Sequence, residues 1–135
     1  SAVDRSVYYL AYITEKYIGG RESSLPIQLL LDGLVRDPAN SFSDPNYLAD
    51  FLFEIQAVMR QAGPNNLPQL QALTSFVMIK AGQKEEAKIM LDQARHHNTP
   101  NLDTPEFLAY LAAIDACLED QNSPYCNPRA IFPVN

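Results

Sequence analysis

The sequence predicts an all-α fold of antiparallel helical hairpins, about six helices in all. Three observations carry this. Apolar residues recur at steps of three and four along most of the chain. Helix start and stop signals bound these periodic runs. No run alternates apolar and polar residues as a half-buried strand would.

In the first run Val3, Val7, Leu10, Thr14 and Tyr17 share one face, with Ala11 and Ile18 beside them, and Gly19-Gly20 ends it. A second helix starts near Ser24 as N-cap, carries Ile27, Leu30, Leu31 and Leu34, and stops at Asp37-Pro38. The third start is the clearest. Asp44 caps while Pro45 takes the first helical position, where a missing N–H costs nothing. Tyr47, Leu48, Phe51, Leu52, Ile55, Val58 and Met59 then form a wide stripe that ends at Gly63-Pro64. The fourth helix spans Leu67 to Ala81, and its Phe76-Val77-Met78-Ile79 run is apolar nearly all round, which predicts a central position. Gly82 breaks it. Glu85 to His97 follow as a fifth helix with Ala87, Met90, Leu91 and Ala94 inward. Thr104-Pro105 repeats the cap-then-proline start for a sixth, built on Phe107, Leu108, Leu111, Ile114 and Leu118. Three of the ten prolines lie beyond it, so residues 1–120 read as one helical domain and 121–135 as an irregular tail.

The composition narrows function. At 47% apolar and 19% charged the chain is globular, and at 135 residues it is long enough to bury a core. The net charge is −6 and the pI about 4.7. Only ten Lys and Arg are present, scattered, which argues against nucleic acid and against an anionic membrane surface. No apolar run approaches the roughly 18 residues of a membrane span. The chain opens on Ser1-Ala2 without Met, which reads as a segment cut from a longer protein.

Cys117 and Cys126 stand nine positions apart around Asn122-Ser123-Pro124. A disulfide closing that short turn is expected, with two reduced cysteines as the alternative; the bond points to an extracytoplasmic compartment. No second Cys or His pair stands near enough for a zinc site.

Leu67 to Asn101 resembles a tetratricopeptide repeat, a helix–turn–helix unit of about 34 residues. Gly82 stands at its inter-helix turn, and Ala87, Leu91 and Ala94 at the packing positions of its second helix, where small residues let the helices approach closely. Pro100 falls one residue late, and Gln71, Thr74 and Ser75 replace the usual Trp, Leu and Gly of the first helix. A fainter copy covers Val7 to Asn40, through Leu30, Gly33 and the ending Leu34-Val35-Arg36-Asp37-Pro38-Ala39-Asn40. The copies are not a whole number of repeats apart. The resemblance implies a degenerate right-handed stack that holds a protein or peptide. More weakly, the pair hinged at Ala81-Gly82-Gln83 is similar to the periplasmic C-terminal domains of membrane-bound O-antigen polymerases, ligases and pilin glycosyltransferases. That likeness implies attachment to a membrane-embedded parent or partner.

No residue set calls for catalysis, a metal or a cofactor. His96 and His97 are adjacent at a helix end, so their side chains diverge, and a helix C-terminus favours imidazolium. Glu85-Glu86 and Glu119-Asp120 are sequence neighbours and do not face each other as the paired acids of a glycosidase must. A binding surface remains. In a repeat of this kind the first helix lines the concave face, which assigns a peptide groove to Gln69, Ala72, Phe76, Ile79 and Lys80, with Tyr8, Ala11, Glu15 and Ile18 in the fainter copy. The competing assignment for Phe76 and Ile79 is the core.

Overall fold

A computed structural model describes residues 43–60, 64 and 67–126, and the helices expected over Val3 to Ile18 and Ser24 to Leu34 lie outside those residues. Among the described residues the regular structure is helical, with no strand.

Asp44 opens α1 (Pro45–Met59). Its carboxylate accepts the backbone N–H groups of Asn46 at 3.0 Å and Tyr47 at 3.4 Å, two donors that a helix start leaves without an internal acceptor. The helix buries Leu48, Phe51 and Ile55, a spacing that places them on one face.

α2 (Leu67–Lys80) has no polar face to give to solvent, and from Ala72 to Ile79 every residue is buried. It packs against α3 most extensively and also against α1 and α4, so its neighbours cover it on several sides. Two of its buried residues are polar. The Thr74 hydroxyl donates to the Leu70 carbonyl at 2.7 Å and the Ser75 hydroxyl to the Ala72 carbonyl at 2.8 Å, so neither is left unpaired in the core.

Gly82 ends α2 in the left-handed region, with φ +81°. The N–H of Gln83 donates to the Met78 carbonyl at 2.8 Å and that of Gly82 to the Ile79 carbonyl at 3.1 Å. This paired pattern is the Schellman motif, which fixes both the exit direction and the satisfied carbonyls of a helix end. Three residues then separate α2 from α3 (Lys84–Arg95), so the two form a helical hairpin. α3 buries Ala87, Leu91 and Ala94 and leaves its other face mostly to charged and amide side chains, with Ile89 also exposed. It ends two residues before the expected His97. The N–H of His96 still donates to the Asp92 carbonyl, but the His97 ring turns inward and accepts the backbone N–H of Thr99 at 3.1 Å, which commits the chain to a turn.

A 3-10 turn at Pro100–Leu102 leads to α4 (Pro105–Glu119), where the Thr104 hydroxyl accepts the Phe107 N–H at 3.2 Å. α4 buries Phe107, Tyr110, Leu111, Ile114 and Cys117 against the rest. Arg95 bridges α3 to α4 through Asp115 and also meets Asp92 at 3.1 Å, at an exposed position where such pairs contribute little. The described part of the tail is not featureless. A second 3-10 turn, Pro124–Cys126, folds back on α4, and the sulfurs of Cys117 and Cys126 lie at bonding distance with their Cα atoms 4.9 Å apart.

Candidate functional site

The start of α1 and the α2–α3 turn enclose a solvent-open cleft of about 320 Å³. From α1 and the residues just before it come Ser43, Pro45, Leu48, Ala49 and Leu52; from the turn come Lys80, Ala81 and Gln83. Each set follows from local structure. The Asp44 cap starts α1 so that positions 45, 48, 49 and 52 fall on one face at helical spacing. The glycine turn brings the last residue of α2 and the residue before α3 to the same end of the hairpin.

The cleft is chemically mixed. Leu52, Ala49, Pro45 and Ala81, with the buried Leu48 behind them, give it an apolar side, while Ser43, Gln83 and Lys80 contribute polar groups and a cationic head, so that its open surface is slightly more polar than apolar. Burial disfavours the charged ammonium of Lys80 and lowers its pKa below the usual lysine value. A wall of this kind takes an apolar side chain, and its rim takes the polar backbone or termini beside that side chain.

Of the five residues assigned to a groove, the structure brings only Lys80 to this cleft. Ala72, Phe76 and Ile79 are 0%, 2% and 1% exposed, so the expectation that they line an open groove is corrected: they are core. Among the described residues α2 packs against three other helices, α1, α3 and α4. Gln69 is half-buried and does not line the cleft. Tyr8, Ala11, Glu15 and Ile18 lie outside the described residues.

Sequence reasoning missed the other seven residues that line the cleft. Leu52 was visible only as part of an apolar stripe wider than a single buried face needs, and Leu52 is in fact only partly buried.

The two histidines part company. The His96 ring meets the Asp92 carbonyl at 2.7 Å, a last-turn contact at the end of α3. His97 instead serves the following loop. Among the described residues no three His, Cys, Asp or Glu side chains converge as metal ligands, and no helix is long and apolar enough to cross a membrane. Compared with known protein families, with curated proteins and with solved structures, the chain matches none.

Proposed function

We propose that this chain is a non-enzymatic interaction module, a tetratricopeptide-like helical stack that holds a protein or peptide segment, with the cleft beside Lys80 as a point of capture. The observation that carries this is the cleft itself: an apolar wall bordered by hydrogen-bonding groups, mounted between a capped helix start and a glycine-fixed turn. Rigid elements hold such a wall in place before binding, which lowers the ordering cost of capture.

A second reading places the module in the periplasm as an accessory domain of a membrane-bound glycan polymerase or ligase. The cysteine pair at bonding distance favours it, because disulfides persist in oxidising compartments.

Panning a random peptide library on the protein tests the first reading. Ala49 is exposed at the cleft, so Ala49→Arg fills it without touching the core. Selected peptides should bind the parent protein and lose at least tenfold in affinity to A49R, while the two melting temperatures agree. Peptides indifferent to A49R, or a library that yields none, would overturn the assignment. Labelling cells with a membrane-impermeant thiol reagent before and after reduction tests the second: cytosolic, reduced cysteines would exclude it.

A further inference from the structure

The loop between α3 and α4 is organised around a single imidazole. The His97 side chain is 5% exposed and sits edge-on to the Phe107 ring, with centroids 5.8 Å apart. Both ring nitrogens are engaged. Nδ1 accepts the backbone N–H of Thr99 at 3.1 Å, and Nε2 lies 2.9 Å from the Asp103 carboxylate. A backbone N–H can only donate, so Nδ1 must carry a lone pair, and the ring's proton must sit on Nε2, donated to Asp103. Thr99 in turn donates its hydroxyl to the Pro64 carbonyl at 3.2 Å, tying this loop to the segment before α2. Its own carbonyl accepts the Leu102 N–H at 3.0 Å, which starts the 3-10 turn.

We propose that His97 is a proton-sensitive latch: taking up a proton at Nδ1 breaks the Thr99 contact and loosens the tie between the α3–α4 loop and the α1–α2 connection. The proton comes from solvent and no covalent bond other than N–H forms. In the protonated ring two donors, Nδ1–H and the Thr99 N–H, face each other at hydrogen-bond distance, and the turn must open to separate them. Asp103 acts in the opposite sense. Its carboxylate keeps Nε2–H and gains an ion pair with the imidazolium, so protonation exchanges a turn-holding contact for a charge contact at a half-exposed site. The groups around the ring are Asp103 just past the 3-10 turn and the uncharged Phe107 ring from α4, and the adjacent His96, at the C-cap of α3, turns to the Asp92 carbonyl instead.

Long-range ¹H–¹⁵N spectra of the whole chain at about pH 8 should show the Nε2–H tautomer for His97, and an Nδ1–H signal overturns the proposal. Between about pH 8 and pH 5, where histidines titrate, Thr99 amide protection should fall relative to that of Leu111 in α4. After correction for the intrinsic pH dependence of exchange, the expected loss is about fivefold, the worth of one net hydrogen bond. His96→Gln should keep this response and His97→Gln should abolish it. Thr99 protection that is flat with pH, or a response that follows His96 instead, shows that the imidazole is a fixed strut and not a latch.

Discussion

α2 and α3 are adjacent halves of one hairpin, of nearly equal length, and they are built on opposite rules. α2 buries ten of its fourteen residues, and from Ala72 to Ile79 it carries apolar or small side chains on every side. α3 buries three of twelve, a narrow stripe of Ala87, Leu91 and Ala94, with Glu85 and Glu86 in its first turn and Arg95 in its last, as the helix dipole favours. The difference teaches where each helix lies. A periodic stripe marks a helix at the edge of the bundle, whereas the loss of periodicity marks one enclosed by several neighbours. It also shows what enclosure demands: the buried hydroxyls of Thr74 and Ser75 must find acceptors within α2 itself.

The strongest way to break this comparison is Phe76→Ala. Phe76 is 2% exposed in the central helix, so truncation should leave a cavity and cost about 3–5 kcal/mol in chemical denaturation. A loss under about 1 kcal/mol would mean that α2 is open on that side. Ala87→Leu attacks the other half of the hairpin. Ala87 is fully buried on the close-approach face of α3, so the added carbons should overpack the interface by about 1–3 kcal/mol. At the joint between the halves, Gly82→Ala meets no atom within 4 Å and is penalised by conformation alone. The expected cost is about 1–2 kcal/mol, read from a thermal melt. Ile89→Ala sits on the open side of α3 at 61% exposure and should change stability by no more than about 0.5 kcal/mol.

The smallest effect concerns pH. The folded pKa of Lys80 lies below its ordinary 10.5, so between those two values the unfolded chain holds a proton that the folded chain releases. Stability from this group therefore rises with pH across that window. Lys80→Arg keeps its charge throughout, so the parent protein should gain stability relative to K80R as pH climbs towards 10.5. A pH-independent difference would show that the environment of Lys80 does not penalise its charge.

Much of this fold was legible where a single residue decides local geometry. Asp44-Pro45 and Thr104-Pro105 marked helix starts that the structure realises with side-chain caps, and Gly82 marked a turn whose backbone requires positive φ. The central place of α2 was legible from composition alone. The site was not. The surplus of apolar residues on α2 fits a groove or an enclosed core equally well, and only their burial in the folded chain decides for the core at Ala72, Phe76 and Ile79. The cleft joins Ala49 to Lys80 and Gln83 across a long stretch of chain, a juxtaposition that no local period encodes. The early end of α3 escaped for a similar reason, since the helical pattern continues into His96-His97 until the imidazole accepts a backbone N–H further along.

A bond between Cys117 and Cys126, whose sulfurs lie at bonding distance, would also decide how this end of the chain responds to tension. Tension applied beyond Cys126 does not peel α4 apart from its last turn. It passes through the sulfurs into Cys117, which is fully buried inside the helix bundle. The residues between the cysteines are bypassed, so their slack, about 30 Å if drawn out straight, stays locked while the bond holds. Reduction would release the part of that length beyond Glu119 before the pull reached α4 itself. With the bond formed, the compliance of this loop is set by redox chemistry and not by helix stability.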